Sequence, residues 1–495
     1  MTPTDLNDLL PAHVRDPKSV QKDWSPQQLA IYNEPRESQL LIEAKAGSGK
    51  STTIVEKMNR VGGRSGFLAF NKSIADELRA KVRNGSVSTL NSLGHRILTT
   101  KRPGAKLNSW KTHQYLRQKM SKDLYESTGK HVARVVAVAK GCAVGIFDEA
   151  RLDQFHDITE RYVTDLTGDQ IEPVAKVARQ AFLDLVAIED EFDFDDQLYM
   201  PVAQGWTFPA YDNLFVDEAQ DLNPIQHCML TKMAERGAFI TAVGDRRQAI
   251  YGFRGALSNS MDLLSQTFSM KELPLSITYR CAQAIVARAQ EIVPDIEARP
   301  GAPEGLVKNL EDYPDISVYK TGDLILCRNN GPIFGLAVQF LRARLPCQVF
   351  SNFLDELEKF IQSFDAKSMP VLISRLEEWF SKHKKDCEER GAWGKLEGIQ
   401  DKYSVVKTFA NEFTDVNRLL AAVRSLVTSQ VGPRISTIHR AKGLEADTVY
   451  LLRYDLLPSS RATSAEQITQ EQNLQYVAIT RAKNNLFILP MGEDA

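Results

Sequence analysis

The stretch Ala44-Lys45-Ala46-Gly47-Ser48-Gly49-Lys50-Ser51-Thr52 combines small residues, a lysine and hydroxyls in an order suited to nucleotide phosphates. Gly47 and Gly49 let backbone N–H groups close around phosphate oxygens, and a helix beginning at Lys50 adds favourable partial charge. Lys50 then reaches the β- and γ-phosphates, the Ser51 hydroxyl ligates Mg²⁺, and the amides of Ala46, Ser48 and Thr52 belong to the same cradle. A Gly-rich turn between a strand and a helix is the bland alternative. A second signal weakens it. Asn213-Leu214-Phe215-Val216 is an apolar strand ending in Asp217-Glu218-Ala219-Gln220-Asp221. In a nucleotide hydrolase, the first acid, Asp217, holds the Mg²⁺ shell. The second, Glu218, orients and deprotonates the attacking water. Farther on, Gly244 to Ala256 combines an amide suited to sensing the γ-phosphate, Gln248, with Tyr251, Phe253 and Arg254. Tyr251 and Phe253 either pack in the core or stack on bases. Phe253, between Gly252 and Arg254, is the better placed to stack.

These residues need strands to carry them. Apolar runs at 39–43, 66–70, 87–92, 213–216 and 238–243 read as strands alternating with helices, which predicts an α/β unit. Ser25 followed by Pro26 starts a helix and places Gln28 in its first turn, where an amide can read an adenine edge. The strand-tip residues Phe70, Asn71 and Asn91 are candidate ligand contacts. A second strand–helix series follows 275–280, with strands at 323–328, 347–350, 434–438, 448–452 and 485–489. Two charged helical stretches interrupt the alternation. Alternating Phe and Asp at 191–196 fits a helix entry or a domain seam better than a metal site.

Bulk composition excludes several classes. With 43% hydrophobic and 25% charged residues, the chain is of ordinary globular type. No apolar run approaches the ~20 residues of a membrane span, and the first 23 residues lack a signal peptide's core. Six scattered cysteines without a Cys-x-x-Cys pair argue against zinc, an iron–sulfur cluster or a disulfide framework, and for a reducing cytoplasm. Net charge is −2, but residues 101–140 hold ten Lys/Arg against two Asp/Glu, and residues 148–196 hold fifteen Asp/Glu against four Lys/Arg. This is either a phosphate-binding face backed by a repelling one or two helical regions whose charges pair.

Taken together, Gln28, Ala44–Ser51, Asp217–Asp221, Gly244–Ala256, Thr278–Arg280, His439-Arg440-Ala441-Lys442-Gly443-Leu444-Glu445 and Gln475-Tyr476-Val477-Ala478-Ile479-Thr480-Arg481-Ala482 resemble a superfamily 1 DNA helicase of the UvrD/Rep/PcrA type. Residues 69–75 and 438–445 are also similar to the F-box DNA helicase branch and to compact phage or bacterial relatives. The resemblance implies an α/β fold with two RecA-like P-loop motor domains, each carrying a helical insert. Residues 24–100 and 210–277 would form the first motor domain, with its insert at 101–209. Residues 278–350 and 431–495 would form the second, with its insert at 351–430, and 1–23 a preceding segment.

The resemblance further implies ATP and Mg²⁺ in the cleft between the motors. By position, Tyr279 would stack on adenine, Arg280 would contact the γ-phosphate, Gly443 and Glu445 would meet the nucleotide, Glu445 at the ribose, and Arg481 would be the arginine finger. Phe70, Asn71, Asn91, Tyr251, Phe253, Arg254 and His439 would contact DNA. Implied partners are single-stranded DNA, its junctions with duplex, and single-strand-binding or recombination proteins, in the cytoplasm at the nucleoid or at replication sites. The implied activity is 3′-to-5′ unwinding, and a protein-remodelling ATPase on DNA and an RNA motor stay open. Ala44, where the general phosphate-loop pattern starts with glycine, fits the helicase version of the loop, but the chain departs from the family pattern in four places: Thr52 where an arginine is common, Thr89-Leu90-Asn91 for Thr-Phe-His, Phe253 for Trp, and a short second insert at roughly 351–430.

Overall fold

A computed structural model describes residues 24–163, 166–250, 257, 259–350, 352–390, 393–428, 431–460, 462 and 464–489. The segment holding Tyr251, Phe253 and Arg254 lies outside the described residues. The strands run in chain order as β1 (Leu40–Ala44), β2 (Ser65–Ala69), β3 (Ser86–Thr89), β4 (Lys106–Leu107), β5 (Glu191–Phe192), β6 (Asn213–Val216), β7 (Phe239–Gly244) and β8 (Lys271–Leu275). They continue as β9 (Ile277–Thr278), β10 (Glu297–Ala298), β11 (Leu306–Asn309), β12 (Leu324–Cys327), β13 (Gln348–Phe350), β14 (Arg434–Thr437), β15 (Ala446–Leu451) and β16 (Ala482–Ile488).

Two six-stranded parallel sheets organise the chain. The first has the order β3-β2-β6-β7-β1-β8 and the second β11-β16-β15-β12-β14-β13. A parallel sheet needs both faces covered, so its strands read as continuous apolar runs. That is the case here. Leu41, Leu68, Leu214 and Ala242 point to one face of the first sheet, into a core shared with the first helical insert. Ile42, Phe67, Phe215 and Val243 point to the other, against the helices Lys50–Arg60 and Lys72–Arg79. The motor halves meet in an apolar seam in which Ala46 and Ile250 join Leu474, Tyr476 and Val477. No described helix is long and apolar enough to cross a membrane.

Helices fill 111–203 and 352–428 between the sheet strands. The first of these inserts is anchored by buried charge. Lys111 Nζ lies 2.8 Å from Asp196, and Lys140 Nζ lies 2.9 Å from Asp193 and 2.8 Å from Asp196. Lys111, Lys140, Asp193 and Asp196 are all buried. Burial opposes the charge on Asp196, but Lys140 and Lys111 outweigh it and hold the carboxyl below its usual range. Asp195, next to this pair, is pushed up to about 6, first by burial and then by Asp193. Asp193 and Asp196 of the acidic run at 191–196 are thus neutralised by lysines, and the described residues contain no group of acids, histidines and cysteines able to hold a metal. Two of the ten cations in the basic block are therefore internal and belong to no phosphate-binding face.

Because an ion pair broken on one side leaves an uncompensated buried charge, Lys140→Met should cost about 3–5 kcal/mol of stability. Urea unfolding of the purified chain measures this, and a loss below ~1 kcal/mol would show that the cluster is not the anchor described.

Candidate active site

The phosphate loop follows β1 and enters the helix Lys50–Arg60 through two left-handed glycines, Gly47 at φ 73° and Gly49 at φ 82°. Gly47 is required for a second reason. A Cβ there would lie 2.5 Å from Arg280 Cβ and 2.6 Å from Thr278 Oγ1. The loop therefore docks directly on the segment 278–280, and the Tyr279 N–H donates to the Gly47 carbonyl at 2.9 Å. The Ser48 hydroxyl is buried in the loop without a hydrogen-bond partner among the described residues, as expected of a cradle built for a polar ligand.

The tip of β6 faces this loop. Ser51 Oγ donates to Asp217 at 3.3 Å, and Lys50 Nζ lies 3.1 Å from Glu218. Glu218 sits at φ 52°, a left-handed conformation uncommon outside glycine, and such local strain concentrates at functional positions. Burial opposes its charge, yet Lys50 and Lys442 hold its carboxyl well below the usual range. Asp217 is pushed up to about 6 by burial and by Glu218, and Asp221 and Asp245 also reach about 6 through burial. Burial likewise opposes the Lys50 ammonium, but Glu218, Asp217 and Asp245 outweigh it and raise its pKa.

Gln248, at the end of β7, donates to Asp245 at 2.7 Å. Gln220 bridges the two strand ends: its amide N–H donates to Glu218 and to Asp221 (3.2 Å), and its Oε1 accepts from the Asp245 N–H at 3.1 Å.

The second sheet supplies the cations across the gap. Lys442 pairs with Asp221 and donates to the Gln248 carbonyl at 2.8 Å. Arg280 Nε and Lys483 Nζ clamp Glu445 from both sides, at 2.6 and 2.7 Å. Arg481 is fully buried. Its guanidinium donates to the carbonyls of Val477 (3.0 Å) and Leu444 (3.2 Å), and no described carboxylate pairs with it. Burial, then Arg280, lowers its pKa to about 10. The helix Ala465–Ile479 also reaches across. Tyr476 OH accepts from the Ala46 N–H at 2.9 Å, and Asn473 Nδ2 donates to the carbonyls of Arg246 (3.2 Å) and Ala249 (3.1 Å).

One cleft of about 670 Å³ gathers most of these groups. Gly47 to Thr52, Glu218, Gln248, Tyr279, Arg280, Gly443, Glu445 and Arg481 all line it. Phe70 and Asn71 line the same cleft, so the structure places these two DNA candidates on the wall of the phosphate site. Asn71 also caps the helix Lys72–Arg79 through the Ile74 N–H. Gln28 lies behind the loop instead. Its amide closes a capping box with Ser25 and donates to Thr53 Oγ1 at 3.0 Å. His439 lies half-buried in the turn after β14, and Asn91 lies at the helix Leu90–Lys101 with its amide donating to the Phe194 carbonyl at 3.0 Å. Lys442, Lys483, Gln220 and Tyr476 join the site through contacts that their residue types alone do not announce. Lys442 and Tyr476 stand inside the quoted motifs, and Lys483 follows Arg481 by two.

Comparison with known families is decisive at this point. The UvrD/REP helicase N-terminal domain matches residues 24–269, and the UvrD-like helicase C-terminal domain matches residues 347–491. The chain belongs to the UvrD/Rep helicase family. A probable DNA helicase of Mycoplasma pneumoniae is 22% identical, over 92% of this chain and 81% of its own length. F-box DNA helicase protein 1 of Schizosaccharomyces pombe is 24% identical over 91% of this chain and 55% of its own. ATP-dependent DNA helicase Rep of Salmonella typhimurium is 28% identical over 51% of this chain and 40% of its own. The chain thus spans about half the length of these last two UvrD/Rep relatives.

The acid-bearing end of β6 is braced from behind by His227. Its Nε2 lies 2.9 Å from Ser260 Oγ, which donates to the Ala219 carbonyl at 2.6 Å, so Nε2 carries the proton. Burial pushes this imidazole down to about 4. The unfolded chain, with a histidine near 6.5, binds the extra proton first. His227 therefore stabilises the fold fully above about pH 6.5 and loses that contribution as pH falls toward 4, by up to roughly 3 kcal/mol. Subtracting the stability–pH curve of His227→Gln from that of the wild type removes the opposite contributions of the raised aspartates. The difference should shrink steadily from pH 7 to pH 4, and a flat difference would show that the imidazole is not held neutral.

Proposed function

We propose that this chain is an ATP-dependent DNA helicase and translocase that moves 3′-to-5′ along single-stranded DNA and unwinds duplex at its junctions. One observation carries the reading: a phosphate loop and strand-end acids from one sheet share a cleft with the cations of a second sheet. Family membership supports DNA as the track, and the polarity rests on the resemblance of the motifs to the family.

Lys50 and the loop amides would hold the phosphates of ATP, with Tyr279 exposed beside them for the base. Ser51 and Asp217 are hard oxygen donors already in contact, and they suit Mg²⁺, which would neutralise phosphate charge during hydrolysis. Glu218, kept ionised by Lys50 and Lys442, is the base that would accept the proton of the attacking water. Arg280 and Arg481 would stabilise charge developing on the γ-phosphate, and both come from beyond the first sheet. Gln248 would report the γ-phosphate to the adjoining 251–256 segment.

The blocks 24–100 with 210–277 and 278–350 with 431–495 would be the two motors. Their closure would bring the arginines onto the phosphates and their opening would release them, so the grip on DNA would alternate with the hydrolytic cycle. Asn91 and the neighbouring half-exposed Phe194 (54%) would offer the strand an amide and a ring on the first motor's flank.

The wild type should hydrolyse ATP faster when single-stranded DNA is added, and Lys50→Ala should lose at least ~10²-fold in turnover, the scale expected when a main electrostatic stabiliser is removed. Strand displacement on 3′-tailed but not 5′-tailed duplexes should follow. Absence of stimulation by DNA, with stimulation by RNA of the same sequence, would overturn the choice of track. Hydrolysis without strand displacement would favour protein remodelling on DNA.

A further inference from the structure

The two short strands of the first insert pair in parallel, Lys106 with Glu191 and Leu107 with Phe192, and the ladder extends through Asn108 N–H to the Phe192 carbonyl at 2.8 Å. Parallel strands end on the same side. Two residues past β5 stands Phe194, and three past β4 stands Trp110, so both rings emerge from one end of this ladder. Trp110 is 60% exposed, although an indole is among the side chains with most to gain from burial.

Its position is held firmly. Asn108 Oδ1 accepts the Trp110 N–H at 2.9 Å, and Asn108 Nδ2 is itself fixed by Glu191 and Gln114, each at 2.7 Å. The ring of His113 lies 5.7 Å from that of Trp110, and Tyr125 OH lies 3.1 Å from His113 Nδ1. The Arg117 guanidinium covers the Tyr125 ring at 5.2 Å and is exposed, as is Lys106 on β4. Acids border the patch as well: Asn108 occupies one oxygen of Glu191, and Asp190 and Asp195 beside the ladder are exposed. An exposed ring beside a row of aromatics and exposed cations matches the chemistry of single-stranded nucleic acid, whose bases stack and whose phosphates need cations.

We propose that Trp110 is a base-stacking site through which the insert extends the path of the unpaired strand beyond Asn91 and Phe194, with Arg117 and Lys106 meeting the adjoining phosphates. This rests on the DNA-translocase reading above and adds a location to it. Continuity favours a nucleic acid strand over a protein partner, because the Asn91 amide ties the motor's strand-tip helix to the same end of the ladder.

Fluorescence anisotropy with oligothymidylates of increasing length tests the site. Trp110→Ala should bind long oligonucleotides roughly tenfold more weakly, the scale of one stacked base, while short ones that do not reach the insert bind as to wild type. Trp110→Phe should restore most of the loss. Arg117→Ala should reduce the slope of log affinity against log salt by about one phosphate contact, and Trp110→Ala should leave that slope unchanged. Because Trp110 is exposed, the melting temperature should not move, which separates loss of the site from loss of the fold. Affinity of Trp110→Ala within twofold of wild type at every length overturns the site, leaves the translocase reading intact and points to a protein partner for the patch. Equal weakness of Trp110→Ala and Trp110→Phe overturns stacking as the contact. A wild type that binds no nucleic acid overturns both readings.

Discussion

Three buried carboxylates and the half-buried Glu218 crowd the tips of β6 and β7, and the nearby lysine of the same sheet unit, Lys50, cannot neutralise them all. Asp217, Glu218, Asp221 and Asp245 crowd within reach of it. Burying ionised groups without partners is among the costliest things a fold can do. The remaining compensation comes from the second sheet, through Lys442 on Asp221. The opposite wall has the opposite problem. Arg481 is buried among carbonyls with Arg280 nearby, and its charge is disfavoured enough to lower its pKa. Each half of the cleft is therefore electrostatically incomplete without the other. That is a physical reason for the two sheets to stay apposed across the cleft.

The same constraint recurs where the inserts join the motors. Lys111 and Lys140 satisfy Asp193 and Asp196 inside the first insert. In the second, Asp401 accepts from the Asn330 and Gly331 N–H groups at 3.0 and 2.8 Å and so caps the N-terminus of the motor helix Asn330–Arg342. A carboxylate at a helix N-terminus is favoured by the exposed amides and by the helix dipole. The first insert is thus cross-linked internally by buried ion pairs, and the second is tied to the adjoining helix by directional hydrogen bonds.

The parts of the site visible in the sequence are those whose chemistry is local. Gly47, Gly49, Lys50 and Ser51 act within one loop, and the apolar strand before Asp217 marks its own end. What stayed hidden depends on partners far away in the chain. A lysine in a helical, charged stretch reads as solvated, and nothing near Lys140 says that Asp193 and Asp196, over fifty residues on, will enclose it. Lys442 looks like one more motif cation until Asp221 is opposite it. Gln28 has the amide expected of a base reader, but its reciprocal hydrogen bonds with Ser25 make it a helix-capping residue as well, and its amide nitrogen is engaged by Thr53 of the helix Lys50–Arg60. Phe70 and Asn71 follow β2, and the parallel order of the sheet carries that strand tip to the wall of the phosphate cleft. Their types alone could not separate a wall of the phosphate site from a surface for DNA.

The helix Ala465–Ile479 shows how these pieces become one device. Asn473 and Tyr476 lie three residues apart on this helix and so share one side of it, and Arg481 follows just beyond its C-cap. Asn473 holds the backbone of the segment leaving β7, Tyr476 holds the amide of Ala46 in the phosphate loop, and Arg481 faces the cleft. A rigid helix cannot move one of these contacts without moving the others. Because Asn473 and Tyr476 share one helix, a rigid-body shift of that helix would carry its contacts with the Arg246–Ala249 segment and with the Ala46 amide together.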